Sequence, residues 1–414
     1  MKDRLVRLLR WSEKYTKTDM RYLVRGGSWL GVGHVAQLLG GVVVTIVLAN
    51  TLDKTDLGLY QFILSTATIL GAFTLTGLAV AVTTATAQGD DGALRSGVRT
   101  KLKWNLGIVL ASGAVASYYF FNDNQTLGTA FLIVGALAPF IEGLHLYQPY
   151  LIGKQAFKYN AILNIVRKLI PMSTIIPVAI WSGDPLHLVF AYFASNAITM
   201  ALLYKLTVWR YQPPLSQDFS GTVRFSKHLS LMALASRVLG HVDKVLVFHF
   251  LGTAAVASFT IAQLPTRYTK SSVGLLRQLV LPKLAKRDFP TLQQTLPRKV
   301  GLLFLTVIPI VVAYILLAPF VFAIIFPQYP ESILISQVLI LGLLFVPRST
   351  YAHALTAHEK TTPLYIINIV LPLLKVALLF LLLPLYGIWG AVYAILATDI
   401  VGTILVYTLF KLTR

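Results

Sequence analysis

The sequence contains no cysteine. Disulfides and thiolate metal sites are therefore excluded, while the compartment stays undecided. Acidic residues are also scarce. Sixteen Asp and Glu stand against 36 Lys and Arg, and charged residues of either sign occupy only 13% of the 414 positions. With 56% of positions apolar, there is too little polar surface to cover a soluble globule of this length. A bilayer-spanning helix needs about 20 predominantly apolar residues. The chain supplies such runs almost end to end, and no soluble domain fits between them.

The first apolar run begins near Gly26, behind a segment, 1–25, that carries eight Lys or Arg. It is too long for a signal-peptide core and no small-residue cleavage pattern follows it, so it is expected to be retained. Spans are predicted at 26–50, 57–86, 104–121, 126–150, 160–182 and 187–209. A second set is predicted at 225–250, 255–283, 300–323, 331–357, 363–384 and 388–410. The expected fold is an all-α polytopic membrane protein of twelve transmembrane helices. Its parts would be a basic cytoplasmic segment (1–25), an N-terminal six-helix bundle (26–209), a cytoplasmic linker (210–224) and a C-terminal six-helix bundle (225–414). Six spans return the chain to the side on which it started, so the two halves would be parallel repeats about a pseudo-twofold axis along the membrane normal.

A net charge of +20 would point to nucleic acid in a soluble protein. Position argues otherwise, because no basic and aromatic stripe lies on a soluble module. Nearly all the loop Lys and Arg fall on the side of the termini, and Lys54 stands on the other. The positive-inside rule then places both termini and the longer loops in the cytoplasm.

Some basic residues lie inside the spans: Arg167, Lys168, Arg237, Lys244, Arg267, Lys270, Arg277, Arg348 and Lys375. The carboxylates there are Glu142, Asp243 and Asp399. Facing lipid, each cation would cost about 2.5 to 3.5 kcal/mol on the insertion scale. Three carboxylates are too few to neutralise them, so the remainder need water, backbone carbonyls or a bound anion. Arg237, His241 and Lys244 are spaced i, i+4, i+7, and Arg267, Lys270, Gly274 and Arg277 i, i+3, i+7, i+10. Each set shares a helical face. A short turn, 251–254, joins the two spans as an antiparallel hairpin, so both faces can line one space. Arg237 and Arg267 lie roughly 18 Å from a span end, too deep for easy snorkelling.

The candidate anion-binding set is therefore Arg237, His241, Lys244, Arg267, Lys270, Arg277, Arg348 and Lys375. Arg277 and Arg348 are near enough to the cytoplasmic end to snorkel instead. Structural ion pairs account equally for Glu142 with Arg167 or Lys168, and for Asp399 with Lys375. His34 and Gln37 read as interhelical hydrogen-bonding groups. Gly27 and Gly31, with Gly33 and Gly40-Gly41, allow close helix contact in the first span. Pro139, Pro149, Pro171, Pro177, Pro265, Pro309 and Pro347 free backbone groups within spans.

The two halves resemble each other at their first hairpins, Thr51-Leu-Asp-Lys-Thr-Asp-Leu-Gly-Leu-Tyr60 and Phe250-Leu-Gly-Thr-Ala-Ala-Val-Ala-Ser-Phe259. The segments Leu48 to Tyr60 and Asp243 to Gly252 also resemble the corresponding parts of Wzx-type polysaccharide flippases, members of the multidrug, oligosaccharidyl-lipid and polysaccharide exporter superfamily. The resemblance extends over the whole chain in span count and layout. It implies two six-helix bundles around a cationic cavity, alternating access, and movement of an undecaprenyl-diphosphate-linked oligosaccharide from the cytoplasmic to the periplasmic leaflet. The implied setting is O-antigen, capsule or related glycan synthesis in the bacterial inner membrane, with a polysaccharide polymerase and assembly proteins as candidate partners.

Four other readings stay open at this point: a drug exporter of the same superfamily, lipid II transport as in a related family that usually has fourteen spans, a membrane glycosyltransferase or ligase, and a non-transporting scaffold. Cationic drugs would favour membrane carboxylates, and here cations dominate. The predicted outer loops are only a few residues long, which leaves little room for catalytic groups, and Asp90-Asp91 reads as a solvated turn. No catalytic residue, metal site or cofactor is expected. A proton or sodium gradient is the candidate energy source, with Asp243, Glu142 and Asp399 as candidate coupling carboxylates and His241 beside them. A permanent salt bridge would explain Asp243 as well.

Overall fold

The computed structural model describes residues 20–413 except 216–219, 286 and 359. Residues 1–19 of the basic segment and the side chains of His34 and Arg277 lie outside the described residues. Among the described residues there are helices and turns and no strand. The first half of the chain forms α1 (Met20–Thr51), α2 (Lys54–Leu70), α3 (Leu78–Ala87), α4 (Ala93–Trp104), α5 (Leu106–Phe121), α6 (Gln125–Leu144), α7 (Tyr147–Gly153), α8 (Phe157–Trp181) and α9 (Pro185–Tyr211). The second half forms α10 (Ser220–Leu239), α11 (Val242–Leu251), α12 (Thr253–Ala285), α13 (Phe289–Ile325), α14 (Glu331–Leu339), α15 (Ser349–Ala357), α16 (Thr361–Tyr386) and α17 (Ile388–Leu412).

Every predicted span coincides with a helix or a broken helix. Nine helical stretches among the described residues are long and apolar enough to cross a bilayer. The most apolar, α13, leaves Leu302, Leu305, Ile310, Leu316, Phe320 and Ile324 exposed. Such a surface needs lipid rather than water around it. The protein is thus an all-α polytopic membrane protein.

Several predicted spans are not continuous. Between α2 and α3 the chain passes through a 3₁₀ turn, Gly71–Phe73, and a short irregular segment ending at Gly77. There the Gly77 N–H donates to Ser230 Oγ (2.9 Å), and a Cβ at Gly77 would meet Leu229 and the Ser226 carbonyl. Span seven breaks between α10 and α11 at Gly240-His241, and span ten holds a 3₁₀ stretch, Ile340–Arg348, between α14 and α15. Pro347 lies in that stretch and lacks the N–H that an α-helix would use there. The broken seventh span corrects the expectation that Arg237, His241 and Lys244 share one helical face. Arg237 is on α10, Lys244 is on α11, and the turn at Gly240-His241 interrupts the helix between them.

The two hairpins that look alike in sequence turn by different means. After α1, Asp53 caps α2 by accepting from the Asp56 N–H (2.8 Å). After α11, Gly252 turns the chain with φ +80° and ψ −176°, a backbone region open almost only to glycine. Gly387, with φ +56°, performs the same reversal between α16 and α17.

The chain forms two compact units. Of the described residues, one takes in those up to Thr45, Phe73–Trp181 and His187–Leu231; the other takes in Ile46–Ala72, Ser182–Leu186 and those from Met232 onward. This grouping follows contact and crosses the sequence halves 26–209 and 225–414. The first unit packs around Leu75, Leu78, Leu94, Tyr147, Tyr150 and Leu203. In the second, Leu246, Val256, Phe259, Leu379, Leu383 and Val392 form one core, and Phe289, Leu292, Tyr351 and Phe410 belong to another. The second unit includes the first hairpin because Gly58 lies directly against the Thr253 carbonyl and Phe62 stacks on Phe248 with ring centroids 3.7 Å apart. Lys54 also meets Glu331 at 2.7 Å, and Ser258 Oγ donates to the same carboxylate.

Candidate anion-binding cavity

A polar cavity of about 310 Å³ lies inside the second unit, lined on α11 and α12 by Asp243, Lys244, Gln263, Thr266, Arg267 and Lys270. His241, at the break before α11, and Lys375 of α16 complete its charged and polar wall. Helical spacing explains the α12 contribution: Gln263, Arg267 and Lys270 stand at i, i+4 and i+7 on one face. Counted along the helices at 1.5 Å per residue, Asp243 and Lys270 lie about 12 and 25 Å from the Gly252 turn, within the span of a bilayer.

Two carboxylates organise the cations. Asp243 is buried. Its Oδ1 accepts the Lys244 backbone N–H (3.0 Å), and its Oδ2 accepts from Gln263 Nε2 (3.2 Å) and Lys375 Nζ (3.3 Å). Asp399, on α17, places Oδ1 2.7 Å from Arg348 Nη2 and Oδ2 3.2 Å from Lys270 Nζ. The Arg348 guanidinium also donates to the Asp399 backbone carbonyl and, at 3.3 Å, to Thr403 Oγ1. Lys244 is buried and donates to Gln61 Oε1 of α2 (3.2 Å).

Close packing makes these contacts possible. A Cβ on Gly342 would stand 3.1 Å from Asp399 Oδ2 and 3.5 Å from Lys270 Nζ, and one on Gly402 would stand 3.1 Å from Arg348 Cζ. The 3₁₀ stretch Ile340–Arg348 therefore brings both a bare backbone and a guanidinium to Asp399.

Of the candidate anion-binding residues, the structure brings His241, Lys244, Arg267, Lys270 and Lys375 to the cavity wall, and Arg348 stands one contact behind through Asp399. Arg237, which precedes the break in span seven, does not line the cavity. The expected Asp399 and Lys375 pair is replaced by two others, Lys375 with Asp243 and Lys270 with Asp399.

Glu142 belongs to the first unit, where Lys101, itself buried, stands 3.4 Å away. Arg167 Nη1 lies 3.1 Å from His145 Nε2, and the Lys168 stem runs over Gly40. Sequence reading did not pick out Gln61, Gln263, Thr403, Gly342 or Lys101. Only Gln263 carried a local signal, its place on the Arg267 and Lys270 face.

Electrostatically, Lys244, Arg267, Lys270, Arg348 and Lys375 outnumber the two carboxylates around this cavity. Ammonium and guanidinium groups gathered around one cavity attract anions, and phosphate oxygens match their donors.

The fold is shared with solved transporters. The lipid II flippase MurJ in an inward closed conformation aligns with a TM-score of 0.72 at 16% identity, over 93% of this chain and 87% of that one. An outward-facing multidrug resistance MATE family transporter of the MOP superfamily aligns at 0.66 with 17% identity, over 95% and 97%. A MOP superfamily transporter from Pyrococcus furiosus, described as having a binding pocket of reverse polarity, aligns at 0.62 with 16% identity, over 95% and 96%. No curated protein sequence matches this one. Residues 23–286, more than half of the chain, match the family described as polysaccharide biosynthesis protein, and the chain belongs to that family.

Proposed function

We propose that the protein is a flippase that carries an undecaprenyl-diphosphate-linked oligosaccharide from the cytoplasmic to the periplasmic leaflet, as a Wzx-type member of its family. The observation that carries the reading is the cluster of cations around an intramembrane cavity in a polysaccharide-biosynthesis chain with a transporter fold. The obstacle to crossing is the head group, because the polyprenyl tail can stay in lipid. Charge-assisted hydrogen bonds from Arg267, Lys270 and Lys375 to phosphate oxygens offset the loss of water around the diphosphate. The reading includes twelve spans in two six-helix bundles, both termini in the cytoplasm, residence in the bacterial inner membrane and work alongside a polysaccharide polymerase. It also includes coupling to a proton or sodium gradient through Asp243 or Asp399.

A drug exporter shares the fold, but organic cations would meet like charge in this cavity. The test is leaflet-resolved translocation of lipid-linked oligosaccharide in proteoliposomes. Transport by the wild type that falls at least tenfold in an Arg267→Gln, Lys270→Gln, Lys375→Gln variant of normal insertion is the expected result. Equal rates in vesicles with and without protein refute the function.

A further inference from the structure

Asp243 and Asp399 are built alike. Each fixes one carboxylate oxygen on a donor held by the fold: Oδ1 of Asp243 on the Lys244 backbone N–H, and Oδ1 of Asp399 on the Arg348 guanidinium. Each turns its other oxygen to a lysine of the cavity wall, Lys375 at 3.3 Å and Lys270 at 3.2 Å. These two contacts are longer than the 2.7 to 2.9 Å typical of charge-assisted N–H···O bonds. Both lysines retain solvent access, with 18% of the Lys375 and 37% of the Lys270 side chain exposed. An ammonium on a four-carbon stem can swing between acceptors, whereas the guanidinium of Arg348, fixed by three acceptors, cannot.

We infer that Asp243 and Asp399 are parked counter-anions, which hold Lys375 and Lys270 at the cavity wall and release both to a diphosphate that enters it. This rests on the flippase reading above and adds how the site recognises its ligand. Two lysines are freed together, so a ligand with two adjacent anionic groups compensates both, and a monoanion compensates one. The carboxylates therefore compete with the ligand and set selectivity for a diphosphate over singly charged headgroups. Arg348 and the Lys244 backbone stay in place and keep the carboxylates from following the lysines into the cavity. A cavity of about 310 Å³ is at the small end of ligand pockets and is large enough for a diphosphate.

The test is calorimetric titration of the purified protein in nanodiscs with inorganic pyrophosphate, farnesyl diphosphate and chloride. Asp243→Asn and Asp399→Asn are expected to bind pyrophosphate on the order of tenfold more tightly than wild type, equivalent to about 1.4 kcal/mol. Lys270→Gln and Lys375→Gln are expected to bind it more weakly. Glu331→Gln removes a negative charge from the same unit outside the cavity wall and should leave the affinity unchanged. Thermal midpoints identify any variant that fails to fold, and each carboxylate tests the inference separately.

Tighter binding of farnesyl diphosphate than of pyrophosphate assigns the ligand to a lipid headgroup, and equal binding assigns it to a free diphosphate; either agrees with exchange. Folded Asn variants that bind no more tightly than wild type, or a Glu331→Gln variant that gains as much, overturn the exchange. If lipid-linked oligosaccharide is still translocated, the flippase reading survives that result. Absence of both pyrophosphate binding and translocation overturns the two together.

Discussion

Arg348 and Lys270 both contact Asp399, yet their settings separate stability from binding. The guanidinium makes contacts to the carboxylate, the Asp399 carbonyl and Thr403, with 20% of its side chain exposed; Lys270 makes one contact at 3.2 Å with 37% exposed. Removing one partner of a buried pair strands the other charge and costs about 3 to 5 kcal/mol. Arg348→Gln should accordingly lower unfolding stability by about 3 kcal/mol, the low end because both groups retain some solvent. Lys270→Gln should lower it by less than about 1 kcal/mol, as for a partly exposed pair, while reducing translocation strongly. Thermal unfolding in nanodiscs and a vesicle flipping assay measure the two effects. Equal stability losses in the two variants would contradict the assignment of Arg348 as the fixed partner.

Around α2, packing against α12 outweighs the charge pair with α14. Lys54 and Glu331 are 2.7 Å apart, but their side chains are 36% and 42% exposed, and such pairs contribute less than about 1 kcal/mol. Gly58, by contrast, has no room for a methyl group against the Thr253 backbone. Overpacking a close contact of this kind costs about 1 to 3 kcal/mol. Gly58→Ala should destabilise the protein more than Lys54→Gln, and comparing their thermal midpoints with wild type checks the order. The elements themselves were largely legible in the sequence. Apolar runs mark the helices, and the i, i+3 spacing of Arg267 and Lys270 marks one wall of the cavity. The break at Gly240-His241 was hidden because apolar residues flank it on both sides, so the run looked continuous. The pairing of Asp243 with Lys375 and of Asp399 with Lys270 was hidden for a different reason. Each joins helices far apart in the chain, and local periodicity carries no information about which distant lysine meets which carboxylate.

On the scale of the whole molecule, the absence of cysteine makes orientation directly measurable, because any thiol introduced is the only one present. Cytoplasmic loops attract Lys and Arg because translocating a short basic loop is unfavourable. In this sequence Arg95, Arg99, Lys101 and Lys103 follow the second span, Lys154 and Lys158 the fourth, and Arg298 and Lys299 precede the ninth. The alternate turns, at Asn122–Asn124, Ser182–Asp184 and Pro327–Gln328, contain no Lys or Arg. Gly92→Cys, Leu215→Cys and Pro290→Cys should therefore resist a membrane-impermeant maleimide in intact cells and react after permeabilisation. Asn124→Cys, Asp184→Cys and Gln328→Cys should react without it. Asn124 accepts from the Leu127 N–H at 3.0 Å and Asp184 from the Leu186 N–H at 2.8 Å. Losing either contact costs about 1 kcal/mol, too little to reorient a chain whose basic residues are biased along its whole length. Both sets must report opposite sides for the topology to stand. A reactive thiol at 92 or 290 in intact cells would place a basic loop outside and overturn the orientation, and with it the cytoplasmic entry of a lipid-linked substrate.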